Sequence, residues 1–239
     1  GSDWDLATSI QQTTDGGYIV SGQSRSNDGD VTGNNGNYDY WIVKLDAIGN
    51  ITWQKSMGGT DRDYPKSIQQ TADGGYIVAG FSYSNDGDVT VNYGLYDYWI
   101  VKLDGTGNIT WQKSLGGSST DWAHSIQQTT DGGYIVGGHA LSIDGDVTGN
   151  NGNTDYWIVK LDPGGNITWQ KSLGGSNFDE GYSIQQTTDG GYIVAGWSDS
   201  NNGDVTGNNG GYDYWIVKLD TGGNITWQES LGGSNSDQA

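Results

Sequence analysis

Two histidines, His124 and His139, lie close in sequence to Asp121 and Asp144. Imidazole and carboxylate are the groups of proton transfer and of zinc binding. No nucleophilic-serine motif or phosphate-binding glycine loop accompanies them, and both histidines stand where the chain varies freely, so an enzyme is not expected. A second candidate is acidic. "SNDGDVTGNNG" and its variants place Asp28 with Asp30, Asp86 with Asp88, Asp144 with Asp146, and Asn202 with Asp204 in glycine-rich loops. Asp-x-Asp offers the hard oxygens that Ca2+ takes, with backbone carbonyls to complete the shell. These seven aspartates are the candidate Ca2+ ligands, and Asn202 weakens the fourth site. The loops lack the twelve-residue EF-hand pattern with its closing Glu. The competing role is an Asx network, in which Asp and Asn side chains cap local amides.

What positions these residues is a repeat. "SIQQTTDGGYIV" at residues 9–20 returns at 67 (with Ala72 for the second Thr), 125 and 183, a step of 58 residues. A fixed period outranks length as a guide to architecture. Each period reads as four strands, first Ser9–Thr13, then Tyr18–Ser24, Asp39–Asp46 and Ile51–Met57. "TDGG" and "AIGN" supply the glycines and asparagines of tight hairpins, and the acidic loop joins the second and third strands. Four short antiparallel strands with nothing helical between them describe a propeller blade. The expectation is an all-β fold, a β-propeller of four four-stranded antiparallel blades at about 1–58, 59–116, 117–174 and 175–232. The alternative is part of a larger propeller or array completed by oligomerisation. Residues 233–239, "GSNSDQA", are a surplus copy of "GSDWDLA" at the start, and both are inter-blade connections.

Composition bounds the partners. The net charge is −19, and only two of the 29 acids are Glu, at 180 and 229. That acidity argues against nucleic-acid phosphate. No stretch approaches 18 apolar residues, so membrane insertion is not expected. The absence of cysteine excludes disulfides and thiolate metal sites. Low hydrophobicity with high charge is also a mark of disorder, but the 11 Trp, 15 Tyr and 2 Phe recur largely in register.

"DYWIVKLDxxGNITWQKSLGG" followed by "DxxxSIQQTTDGGYIVAG" resembles the bacterial repeats of the seven-bladed beta-propeller repeat type. The likeness recurs once per period over the whole chain. It implies the blade fold and a secreted or cell-surface location, and it brings no catalytic residues. Four repeats stand here rather than seven, and Gly-Gly replaces the family's frequent Gly-Asn.

Most large side chains serve the blades. Trp41, Trp99, Trp157 and Trp215 on the third strand, and Trp53, Trp111, Trp169 and Trp227 on the fourth, are read as inter-blade core. Seven of the ten basic residues are period-locked lysines, expected to cover apolar surface or pair with Asp. Other positions differ sharply between copies. Their columns read Trp4, Arg62, Thr120, Phe178; Leu6, Tyr64, Trp122, Glu180; Thr8, Lys66, His124, Tyr182; Gln23, Phe81, His139, Trp197; and Arg25, Tyr83, Leu141, Asp199. Packing would demand sameness, and drift would not collect aromatics. Trp4, Arg62, Tyr64, Phe81, Tyr83, Trp122, His124, His139, Phe178, Tyr182 and Trp197 are therefore the candidate ligand-binding residues. Flat apolar bodies with polar edges suit sugar rings or peptides. The expected function is a non-enzymatic extracellular binding module for a glycan or a protein surface. The alternative is a structural or assembly repeat, or a consensus-like scaffold, in a monomer or a repeat-mediated oligomer.

Overall fold

A computed structural model describes residues 1–237; the last two residues of the surplus connection lie outside the described residues. Among these the chain is all β. The first blade holds β1 (Asp5–Gln12), β2 (Tyr18–Ser24), β3 (Asp39–Leu45) and β4 (Ile51–Met57). The second holds β5 (Asp63–Gln70), β6 (Tyr76–Ser82), β7 (Asp97–Leu103) and β8 (Ile109–Leu115). The third holds β9 (Asp121–Gln128), β10 (Tyr134–Ala140), β11 (Asp155–Leu161) and β12 (Ile167–Leu173). The fourth holds β13 (Asp179–Gln186), β14 (Tyr192–Ser198), β15 (Asp213–Leu219) and β16 (Ile225–Leu231). Each blade is an antiparallel meander in sequence order, so its first and fourth strands are the edges.

The turns form for local reasons. In "TDGG" the Thr13 amide donates to Gly17 O at 2.9 Å, and Asp15 Oδ1 accepts from Thr13 Oγ1 and from the Gly17 amide. Gly16 sits at φ +84°, where a side chain would be strained. In the third-to-fourth hairpin, Asp46 Oδ1 accepts from the Ile48 and Asn50 amides. The lysines pair as expected: Lys44 with Asp15 at 2.8 Å, and Lys102 with Asp73, Lys160 with Asp131 and Lys218 with Asp189 at 2.9 Å each.

The first strand is longer than the sequence reading gave. It begins at Asp5 and its equivalents, four residues early, because Asp63 is itself a ladder residue opposite Ser82, with its amide donating to Tyr38 O at 2.6 Å. The third strand ends at Leu45, one residue sooner than expected, where Asp46 turns to the hairpin.

The chain forms two compact units, one up to Leu115 and one from Gly116, each with two blades. In the first unit, Ile19, Tyr40, Ile42 and Met57 of one blade pack against Ile68, Val78, Trp99 and Leu103 of the next. Tyr40 and Trp99 rings lie 4.5 Å apart, and the Tyr40 hydroxyl donates to Trp99 O at 3.0 Å. The second unit repeats this, with Tyr156 against Trp215 at 4.6 Å and a 2.8 Å bond from its hydroxyl to Trp215 O. The inter-blade core role of the third-strand tryptophans holds for Trp99 and Trp215, which are fully buried within the two core clusters; Trp157 is also fully buried, and Trp41 is half-buried. On the fourth strand, Trp53 and Trp169 pack at the margins of the two cores, and Trp227 is 46% exposed.

Candidate functional site

The variable columns lie mainly at one end of the first and second strands rather than in loops. Within each blade two of them are cross-strand partners: Leu6 opposite Gln23, Tyr64 opposite Phe81, Trp122 opposite His139, and Glu180 opposite Trp197. A third column, Thr8, Lys66, His124 and Tyr182, falls at a β-bulge in the first strand. There the register slips between Ala7 and Ser9, Pro65 and Ser67, and Gly181 and Ser183, while Ala123 and Ser125 oppose consecutive residues of β10. A bulge leaves one residue unpaired in the ladder and re-aims its side chain. The result is a triad of variable side chains on each blade.

In the first unit the triads grow into an aromatic and cationic cluster. Tyr64 lies 5.3 Å from Phe81, 5.6 Å from Tyr38 and 6.3 Å from Tyr96. Tyr96 is 5.0 Å from Tyr83. Lys66 sits 5.2 Å over the Phe81 ring, Arg25 sits 5.9 Å over Tyr38, and Arg62 hydrogen-bonds Tyr96. Burial beside Phe81 lowers the Lys66 pKa.

The second unit has a different set. Trp122 and His139 are 5.4 Å apart, His139 and His124 5.1 Å, and His124 and Tyr182 of the next blade 4.7 Å. Tyr182 donates to Glu180 Oε2 at 2.6 Å. Burial, with the His124 charge second, pushes His139 down to about 3, so it is neutral although Glu180 lies 3.9 Å away. Burial raises Glu180 as well, and burial with the Glu180 bond pushes Tyr182 up to about 12. Trp197 stacks edge-on to Tyr212 at 4.4 Å.

The expected face is thus brought together within each unit, but its members are unequal. Trp4, Tyr83, Phe178 and Tyr182 are 40% exposed or more, and Arg62 is exposed. Tyr64, Trp122 and His124 are half-buried. Phe81, His139 and Trp197 are buried, which corrects the expectation that these columns escape packing. They form the floor on which the exposed members stand. Tyr38, Tyr96 and Tyr212 were missed because their column is Tyr in three copies of four; Thr154 was the signal that it varies.

The acidic loops hold the inter-blade connection. Asp28, Asp86 and Asp144 each accept, through Oδ1, the amide of Ser2, Thr60 or Ser118 at 2.7 Å. Asn202 does the same for Ser176 at 2.9 Å. Asp88, Asp146 and Asp204 accept from the Gly58, Gly116 and Gly174 amides at 3.2–3.4 Å. Gly59 is required beside this cap, since a Cβ there would lie 2.3 Å from Asp86 Oδ1. Among the described residues no three His, Cys, Asp or Glu side chains converge as a metal site. Melts of wild type and Asp86→Asn, with chelator and with Ca2+, separate the two roles. The amide acceptor survives in Asn, so equal melts are expected, while Asp86→Ala lowers the midpoint by about 2–4 °C. A Ca2+-dependent rise in wild type that vanishes in Asp86→Asn would make the loop an ion site.

No family model matches the chain. It is 28% identical over 191 residues to the regulatory protein FlaEY of Caulobacter vibrioides, covering 74% of this chain and 20% of that protein. The chain therefore spans about a fifth of that relative's length. A solved protein of unknown function from Bacteroides caccae aligns with a TM-score of 0.55 at 13% identity, over 97% of this chain and 71% of that one. That likeness shows the fold.

Proposed function

We propose that the chain is a non-enzymatic recognition module, with repeats of the seven-bladed beta-propeller repeat type, that works outside the bacterial cell and takes an acidic saccharide on its variable face. One observation carries this reading. Arg25, Arg62 and Lys66, the three cations outside the periodic lysines, meet five aromatic rings at one end of the first unit. In a chain of charge −19, cations gathered beside rings favour an anionic ligand with a flat apolar face. A uronate ring has both, a carboxylate for Arg62 and a C–H face for Tyr83. Unlike blades make unlike triads, which suits an extended chain of sugars more than one small molecule.

A glycan array carrying neutral and uronate-containing oligosaccharides tests this. Retention of the acidic set is expected, falling about tenfold in Arg62→Ala or Tyr83→Ala, the scale of one lost anchor. Both side chains are exposed, so both variants should fold. Retention of neutral sugars alone would remove the cationic part of the reading, and no retention of any sugar would overturn it.

A further inference from the structure

A cleft opens between the two blades of each unit, at the end of the strands away from the variable triads. In the first unit Asp15, Lys44, Asp46 and Trp53 of one blade and Gln70 and Tyr76 of the next line a space of about 370 Å3. In the second unit Asp131, Lys160, Asp162 and Trp169, with Gln186 and Tyr192, line one of about 420 Å3. All six positions keep their residue type. Spaces of this order suit a small ligand.

The aromatic wall is held in place from several sides. Trp53 and Tyr76 meet edge to face with ring centres 5.7 Å apart, and Trp169 and Tyr192 do so at 5.6 Å. The last hairpin of the following blade backs each indole. A Cβ on Gly107 or Gly223 would lie 2.8 Å from Cζ3 of Trp53 or Trp169. Gln70 Oε1 accepts the Thr14 amide at 2.8 Å, and Gln186 Oε1 accepts the Thr130 amide at 2.9 Å. These bonds tie the mouth of the cleft across the blade junction.

Polar groups in the wall still have hydrogen bonds to make. Tyr76 is 2% exposed and Tyr192 3%, yet neither hydroxyl bonds any of the described residues. A buried hydroxyl without a partner is costly, and it calls for one. Burial first, then the Asp15 or Asp131 charge, raises both phenol pKa values, so each keeps its proton to donate. Lys44 and Lys160 are each 5% exposed. Lys44 gives N–H groups to Asp15 Oδ2 at 2.8 Å and Leu45 O at 2.9 Å, and Lys160 gives them to Asp131 Oδ2 and Leu161 O. An ammonium has a third N–H to offer.

We propose that each cleft takes one ring of a neutral polyhydroxylated compound, a hexose or its glycoside, against its Trp–Tyr wall. Two carboxylates and one ammonium line each cleft. An anion meets net negative charge there, and a cationic ligand meets the lysine. Sugar hydroxyls both accept and donate. They can accept from the Tyr76 hydroxyl and the third Lys44 N–H and donate to Asp15, while a C–H face of the ring lies on Trp53. The proposal does not depend on what the variable triads bind.

Fluorine NMR of the whole chain labelled with fluorotryptophan tests this, with Trp53→Phe and Trp169→Phe assigning the two signals. The methyl glycosides of glucose, galactose and mannose are the probes, and glucuronate and glucosamine are the charged controls. At least one neutral glycoside is expected to move both signals saturably, with a Kd on the order of 1 mM for so small a ligand. The charged sugars should move neither signal at that concentration. Tyr76→Phe with Tyr192→Phe removes only hydroxyls that bond nothing in the described chain, so the melting midpoint should hold while binding weakens about fivefold, the scale of one hydrogen bond. A ring held so weakly is not retained on a glycan array, so failure here and failure of the acidic-saccharide reading are separate results. Neutral glycosides that move neither signal well above that Kd overturn the inference and leave water as the partner of Tyr76. So do charged sugars that bind as tightly as neutral ones, and a double variant that binds as wild type does.

Discussion

Replacing Trp99 with Ala is expected to destabilise the protein by about 3–5 kcal/mol, the cost of emptying a packed aromatic site. Replacing Trp41, the same position one blade earlier, should cost about 1–2 kcal/mol. Both indoles donate to a glutamine on the adjacent strand, Gln54 or Gln112, at 2.9 Å. The hydrogen-bond loss therefore cancels in the comparison. What differs is the covering: Trp99 is fully buried with Tyr40 on its face, and Trp41 is half-buried. Urea melts of the two variants, made at concentrations where the protein is monomeric, give the numbers. Equal costs would mean that the tryptophan stabilises its own blade rather than the interface.

The melting temperature is expected to peak near about pH 4–5 rather than at neutrality. Two opposed sets of carboxyls set this. Asp39 and Asp155 are fully buried, and burial first, then the nearby Asp63 or Asp179 charge, pushes each up to about 7 against the Asn35 or Asn151 amide bond that favours ionisation. Asp63, Asp121 and Asp179 are raised by burial as well. A raised carboxyl pKa means that the folded state holds the proton more tightly, so this stability is full below the unfolded value near ~4 and is lost as pH rises towards 7. Asp73 and Asp131 go the other way, to about 2, where hydrogen bonds from Thr71 or Thr129 and from the Lys102 or Lys160 partner outweigh desolvation. Their contribution is present above the unfolded value and is lost as pH falls through about 2. Asp39→Asn with Asp155→Asn should flatten the alkaline limb. Salt screens the net charge but not a buried proton, so a limb that survives high salt in wild type and disappears in the double variant belongs to these groups. A maximum above pH 7 would defeat the prediction.

The blade was legible because its determinants are local and repeated. "TDGG" closes a hairpin through its own Asp15 and Gly16, and "DYWIVKLD" alternates as a strand must. The start of the first strand was not legible. Tyr64 looks like a loop residue because its column varies between copies, and only the long-range pairing of Asp63 and Tyr64 to Ser82 and Phe81 makes them a strand. The same pairing put Phe81, His139 and Trp197 under the exposed members of the site. Variation between copies marked one end of the blade but could not distinguish a buried position from an exposed one. The acidic loops were legible in kind, as caps or ligands, and Asn202 shows that the capping bond does not need a carboxylate, because its amide oxygen accepts the Ser176 amide as Asp86 accepts that of Thr60.

The bulge at Thr8, Lys66, His124 and Tyr182 gives the repeat a hinge between inheritance and novelty. Its residue belongs to the strand but has no opposite residue in the ladder, so four quite different side chains occupy it while the antiparallel ladder continues on either side. Copies that are nearly interchangeable elsewhere can then be duplicated, lost or shuffled as whole 58-residue cassettes, each bringing its own triad. Specificity in such a chain is a matter of the order of its cassettes, and a new surface arises by rearranging old blades before any new residue is needed.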